Sequence, residues 1–529
     1  MERRRERERQ LRLLRYASPP GMVAAATARR HAGDWRGACR AALVDAHIDL
    51  PDVAARYGGG EAARIEGELR DLAPDLLRRF LPRTDSLALL PRAVVVLTRL
   101  PDPVPTGAEA SDSGVPLLVA TLPLADCAPQ RIGLRVTDSR RLPPRWHDLP
   151  GWCWDAAAVD ARRWAYGASA ARLAWHSPDG QPYRSGGTGG PALTGDRAAE
   201  VEALAALLST GRPVAAYEAA GFTVDPDEAR QHAAWFAAPL AAHAPALPVL
   251  AHEARRLAHR YGATTQVSAD RRLAVEVAAD GRPTVRRASW RDPAVGPCAF
   301  GIPGPTDVAL LHRGDLTPDE LHPLVHEALF PGRAQAWRAA APAPPAPIRI
   351  RCGPDWHVVR PADGRLVTPH HSDEELRREF LLAGLGGPLL GCAAAVRAWR
   401  TGARPVPKEI RRLRQDVFAR ALHGDTDGVL ALLADGLDPG LRDGTGGTLM
   451  HWLSHLDHTR MLPALAAAGL DVDERDRDGR APLHAAAVAL DTEVMAALLA
   501  AGADPDAVDA QGRTPAGLLA AARKLTRRS

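Results

Sequence analysis

The chain has 529 residues, 46% apolar and 25% charged, the composition of a folded, water-facing protein with length for about three or four domains. Its net charge of +4 is matched by residues 1–15 alone, seven Arg against three Glu. A basic tail at Arg523, Lys524, Arg527 and Arg528 leaves the body slightly acidic, which excludes a broad nucleic-acid face. No apolar run approaches the ~18 residues that cross a bilayer, so no membrane partner is expected.

All but two of the 67 basic residues are Arg; Lys408 and Lys524 are the exceptions. With heavy Ala, Gly and Pro use, this points to a GC-rich, bacterial coding genome, and makes Arg abundance partly a codon effect. The N-terminal Arg/Glu run lacks the apolar core of a secretion signal and reads as a solvated helix. Cys39, Cys127, Cys153, Cys298, Cys352 and Cys392 are scattered, with no Cys-x-x-Cys spacing. They fit a reducing cytoplasm and read as buried fillers, so no metal and no cofactor is expected.

Residues 1–92 read as helical. Gly33-Asp34 opens a helix with an apolar stripe at Trp35, Ala38, Ala42 and Val44, and Leu69–Leu72 and Leu76–Leu81 continue the helical period. Residues 93–192 read as a Trp-rich, mostly β region. Ala93–Thr98, Val115–Leu122 and Ile132–Thr137 are strand candidates, and Pro101–Pro116 is a proline-rich loop. Trp146, Trp152, Trp154, Trp164 and Trp175 follow, and fill a core more readily than they line a groove. Ser185–Pro191 is glycine-rich but lacks a Walker lysine, so it reads as a linker.

Residues 193–335 read as helices to 262, with Thr194 or Asp196 as first cap, then a β-meander over 263–290 turning at Asp280-Gly281. Asp179-Gly180 and Asp363-Gly364 mark similar turns. Thr317-Pro318 opens a helix expected to run through Leu329. Residues 336–347 are a Pro/Ala linker. Residues 348–402 are a strand hairpin, Ile348 to Thr368, then a helix pair: one opened by the capping box Ser372–Glu375, one over Leu389–Arg400.

Four histidine sets have spacings that invite a metal. His451, His455 and His458 fall at i, i+4 and i+7 on one expected helix; His322 and His326 precede Glu327; His252 and Glu253 precede His259; His370-His371 precede Asp373. None has the His-Glu-x-x-His order, and His370-His371 reads as a helix-entry loop. With no serine-hydrolase elbow, Walker lysine or kinase signature, no catalytic residue is nominated.

Residues 403–529 repeat every 33 positions. Gly436-Leu437-Asp438 returns as Gly469-Leu470-Asp471 and Gly502-Ala503-Asp504; Gly446, Gly479 and Gly512 keep the step, as do His451 and His484. A fixed step of this kind means stacked units that complete one another's cores. Gly479-Arg480-Ala481-Pro482-Leu483-His484 and the Leu498-Leu499-x-x-Gly502-x-Asp504 ending resemble the ankyrin repeat family. Gly446–His451 keeps Gly, Thr and His, Gly512–Gly517 keeps Gly-x-Thr-Pro, and Phe418 and Gly517 replace the His in the outer units.

The fold expected is therefore an α+β body followed by an all-α ankyrin-type solenoid. The resemblance implies a protein partner, held by hairpin tips and the first helices: Arg442, Thr445, Trp452 and His455 in one unit, Arg475, Arg477 and Asp478 in the next, then Gln511 and Arg513. The function expected is that of a cytoplasmic bacterial adaptor rather than an enzyme. Two alternatives stand beside it: an enzyme with its catalytic part in residues 93–335, and a toxin, immunity or defence component.

Overall fold

The computed structural model describes residues 2–99, 114–143, 146–183, 195–225, 233–268, 270–292, 296–302, 304–337, 348–362, 365–401, 408–434 and 437–528. Most of the Pro101–Pro116 loop, the glycine-rich stretch Ser185–Pro191, Thr194, the Asp363-Gly364 turn and most of the 336–347 linker lie outside them. The chain divides into two units. Unit 1 holds residues 1–126 and 131–340; unit 2 holds residues 127–130 and 341–529.

Unit 1 begins with six helices: α1 (Glu2–Ala17), α2 (Pro20–His31), α3 (Trp35–Ala41), α4 (Leu50–Tyr57), α5 (Gly59–Asp71) and α6 (Pro74–Phe80). Asp34 caps α3, its carboxylate accepting from Gly37 N at 2.7 Å. The apolar stripe expected to reach Val44 does not stay helical. Leu43 turns to φ 55°, and Val44 enters strand β1 (Val44–Ala46), which pairs in parallel with β4.

The central sheet has the order β1-β4-β3-β2-β5, with β2 (Val94–Val96), β3 (Pro116–Thr121), β4 (Ile132–Asp138) and β5 (His147–Asp148). Strands β2 and β3 are apolar on both faces, whereas β4 buries Ile132 and Leu134 on one face and exposes Arg135 on the other. The two-residue period sorts them. Val95, Leu97, Leu118 and Ala120 face one core with α5 and α6, while Val96, Leu117 and Val119 face a second. That second core is built from α8 (Arg197–Ser209), α9 (Pro213–Ala219), α10 (Ala233–Ala242), α11 (Leu247–Tyr261) and a four-stranded sheet ordered β6-β9-β8-β7. Those strands are β6 (Thr223–Val224), β7 (Thr265–Val267), β8 (Leu273–Val277) and β9 (Pro283–Arg287). Helix α7 (Val159–Ala165) and the buried Trp152 and Trp154 belong to the first of these cores.

The helix expected from Thr317 to Leu329 is two pieces. Thr317 and Glu320 form the opening box, Thr317 N donating to Glu320 Oε2 at 2.7 Å. A 3₁₀ turn at Pro318–Glu320 then stops, and α13 (Pro323–Leu329) starts afresh. Pro323 is the reason: it drives His322 to ψ 137°, outside the helical region. Ahead of it lies α12 (Thr306–His312).

Unit 2 opens with an antiparallel sheet, β10 (Ile348–Cys352), β11 (Asp355–Ala362) and β12 (Arg365–Val367). Two helices follow, α14 (Asp373–Gly384) and α15 (Gly391–Thr401). Ser372 caps α14, accepting from Glu375 N at 3.2 Å. The helical C-terminal region comprises α16 (Lys408–Leu422), α17 (Thr426–Ala434), α18 (His458–Ala467), α19 (Pro482–Val488), α20 (Thr492–Ala500) and α21 (Pro515–Arg528). One hydrophobic core runs from Ile348 and Ile350 of the sheet through Cys392 and Trp399 of α15 to Leu498 of α20. Gly469 and Gly502, at φ 86° and 97°, end α18 and α20 with matching bonds, Leu470 N to Leu465 O at 3.1 Å and Ala503 N to Leu498 O at 3.0 Å. Among the described residues, no helix is long and apolar enough to cross a membrane.

Candidate functional site

Two arrangements in unit 2 stand out: the hairpin tips of the repeats, and a Cys/His cluster beside the small sheet.

The tips are shaped by side chains that recur at the 33-residue step. Asp443, Asp476 and Asp509 each fold a tip over their own carboxylate. Asp443 accepts from Thr445 N at 2.7 Å, Asp476 from Asp478 N at 2.8 Å, and Asp509 from Gln511 N at 2.9 Å. Arg513 bonds the Asp509 carboxylate and, with two backbone amides, holds it well below the usual carboxylate range. His451 and His484 tie down the first-helix turns. Each accepts at Nδ1 from the backbone three residues before it, at 3.1 Å, and donates from Nε2 to the next unit, to Arg480 O and Arg513 O, both at 3.0 Å. Such paired bonds fix the tautomer. Burial pushes the His451 imidazole down, so it stays neutral.

Arginines staple one tip to the next. Arg442 Nη1 reaches Gly446 O at 2.7 Å and Arg475 O at 3.0 Å. One step on, Arg475 Nη1 reaches Gly479 O at 3.0 Å and Val508 O at 3.1 Å. Arg477 reaches back to Gly444 O at 2.9 Å.

The nine nominated partner-binding residues therefore divide. Thr445, Arg475, Arg477, Asp478 and Gln511 are exposed; Arg442, Trp452, His455 and Arg513 are half-buried. Trp452 donates to Asp443 Oδ2 at 2.9 Å and packs beside Phe418 and His455, with centroids 5.6 and 4.8 Å away. His455 Nε2 contacts the carbonyl of Cys127, a residue of the same unit, at 3.2 Å, and burial pushes its imidazole down to about 4.

The metal spacings do not survive folding. His451 and His455 lie on a 3₁₀ segment, Leu449–His455, and His458 opens α18 after a break at Leu456. In unit 1, His322 is fully buried and donates from Nε2 to Asp75 Oδ2 at 2.8 Å, while its Nδ1 accepts from Leu324 N. His326 accepts from Arg333 at 3.1 Å, and Glu327 is exposed. The His252 ring lies tilted against Trp164, centroids 4.8 Å apart, and Glu253 accepts from Arg256 Nε at 2.6 Å. Unit 1 also contains a cleft of about 700 Å³ whose walls include Tyr166, Trp175, Glu202 and His312.

The cluster that sequence reasoning missed joins Cys352, His357, His371 and Cys392, whose ligating atoms all lie within 4.8 Å of one another. Cys392 is buried in the core and His371 lies at the entry to α14, as the sequence suggests, but the sequence does not announce their convergence with Cys352 and His357. Their spacings, five, fourteen and twenty-one residues, match no short motif. A signal was present: alternation along Ile348, Ile350 and Cys352 sends the thiol inward, and the hairpin register pairs Ile350 with His357. Burial and the neighbouring Cys352 push the Cys392 thiol up to about 12.

Residues 418–509 match the ankyrin repeat family, as three copies of the repeat. No curated protein matches the chain in sequence.

Proposed function

We propose that this chain, whose residues 418–509 are ankyrin repeats, is a bacterial cytoplasmic adaptor that captures a protein partner on a short solenoid in unit 2. Ankyrin repeats mediate protein–protein interaction, and one observation carries the reading here. The tips spend their Asp, His and Arg groups on one another, so the surface is rigid before a partner arrives. The contact residues are led by exposed Thr445, Arg475, Arg477, Asp478 and Gln511, with the half-buried edges of Arg442, Trp452, His455 and Arg513 behind them. A reducing cytoplasm suits six unpaired cysteines.

The test is affinity capture from the native cells with the full chain and with a variant carrying Thr445→Ala, Arg477→Ala, Asp478→Ala and Gln511→Ala. The variant should keep its melting temperature and lose the partner. Retention of the same partner would refute the assignment.

A second reading, that unit 1 is an enzyme or ligand-binding part, is favoured only by the cleft beside Trp175 and His312. Native mass spectrometry of freshly purified protein would test it: a bound small molecule lost on Trp175→Ala supports it, and a bare chain counts against it.

A further inference from the structure

We propose that Cys352, His357, His371 and Cys392 bind one zinc ion in a closed, four-coordinate site that fastens the β10–β12 sheet to α15.

The four ligand atoms lie close enough to share one ion, two of their separations matching a coordination shell and the His357–His371 one being shorter. Cys352 Sγ lies 3.4 Å from His371 Nε2, His371 Nε2 lies 2.9 Å from His357 Nδ1, and His357 Nδ1 lies 3.6 Å from Cys392 Sγ. A tetrahedral zinc with Zn–S near 2.3 Å and Zn–N near 2.0–2.1 Å separates its ligand atoms by about 3.3–3.8 Å. Two thiol sulfurs and two imidazole nitrogens are the donor set that selects zinc over the hard, oxygen-seeking cations. No carboxylate belongs to the cluster, and four protein ligands complete the shell. The site is therefore structural rather than catalytic.

The backbone delivers these four groups from four places in the chain. Cys352 ends β10 on the face that Ile348 and Ile350 bury. His357 stands on β11, two residues before buried Val359, so its ring shares that face. His371 immediately precedes the α14 cap, its amide donating to Thr368 O at 2.9 Å. Cys392 is buried in the first turn of α15. Gly391 makes this approach possible: it holds φ 55°, and a Cβ there would lie 2.5 Å from Cys352 Sγ. His370 stacks on His357, centroids 4.7 Å apart, without joining the cluster.

The local core explains why a staple is needed. The sheet contributes buried Ile348, Ile350, Val359 and Leu366, yet its other face leaves Trp356 56% exposed, and α14 buries no residue at all. The sheet's own share of the core it has in common with the repeats is small, and an apolar contribution of that size rarely holds a module unaided. Zinc would supply that stability and, through α15, brace α16, whose Arg414 already bridges to α15 by donating to Ala398 O at 3.0 Å.

The test uses the full chain, purified without a polyhistidine tag or chelators. Elemental analysis should find about one zinc per chain, and Cys352→Ser with Cys392→Ser should lower it at least about tenfold, while His370→Ala should leave it unchanged. Cobalt(II) exchanged into the wild-type protein should give the intense visible bands of a tetrahedral thiolate site and its near-ultraviolet charge-transfer band. That readout does not depend on any variant folding. Wild-type protein that carries no zinc and takes up no tetrahedral cobalt, zinc that persists in the double-serine variant, or a Cys352–Cys392 disulfide in freshly purified protein would each overturn the proposal.

Discussion

The repeats and the small sheet module share one hydrophobic core, yet they are held by different kinds of interaction. In the repeats the recurring bonds are local or one step away, with the His455 contact to Cys127 O standing apart. His451 reaches Arg480, and His484 reaches Arg513, by the same 29-residue jump. In the module the decisive groups sit at 352, 357, 371 and 392 and meet once, with no second copy. A bond used several times can be lost once and leave its neighbours standing; a junction used once cannot. That difference predicts where the unit breaks.

The largest effect should follow loss of the junction. Cys352→Ser with Cys392→Ser should unfold residues 348–401 while residues 449–500 stay folded. Hydrogen exchange read by mass spectrometry checks this: fast exchange over β10–β12 and α15 with protection kept in α19 and α20 is expected, whereas uniform protection would contradict the contrast. A smaller loss should come from within the repeats. His484→Ala strands a buried amide and a carbonyl, at a cost of about 2–3 kcal/mol. Chemical denaturation measures it, and a loss below about 0.5 kcal/mol would mean the histidine ties nothing down.

Gly391→Ala comes next. The left-handed backbone and the close Cys352 sulfur should together cost about 1–2 kcal/mol and weaken metal retention against a competing chelator. Unchanged retention would say that α15 approaches the sheet with room to spare. Arg475→Ala removes two bonds to exposed carbonyls and should cost about 0.5–1.5 kcal/mol, read from the same denaturation curves. Smallest of all, the four-residue tip variant should shift stability by less than about 1 kcal/mol, because its side chains are exposed and the bonds lost, Arg477 to Gly444 O and Thr445 Oγ1 to Asp443, are solvent-facing.

The same contrast explains what could be read from the sequence. Periodicity is a local signal repeated, so Gly469, Gly502, His451 and His484 announced the repeats, and the helix stops fell where glycine allows φ above zero. Strands β2 and β3 were legible because their Val and Leu runs are buried on both faces, and β4 because Ile132, Leu134 and Val136 alternate with more polar residues. The cluster was not legible, since its ligands converge only when a hairpin register, a helix cap and a glycine-led helix start are combined. The Arg442 and Arg475 staples were visible as a 33-residue pair, but their nomination as contact residues overlooked the carbonyls beside them. The helix from Thr317 was overextended because Pro323 was passed over as a second start.

The claim that matters most is that a partner sits on the repeat tips. A photo-crosslinking amino acid placed at Gln511 and, separately, at Asp478 should trap one protein in the native cells, while the same group at Arg282, exposed on unit 1, should trap none of it. Crosslinks to that protein from Arg282 and none from either tip would place binding elsewhere and contradict the account.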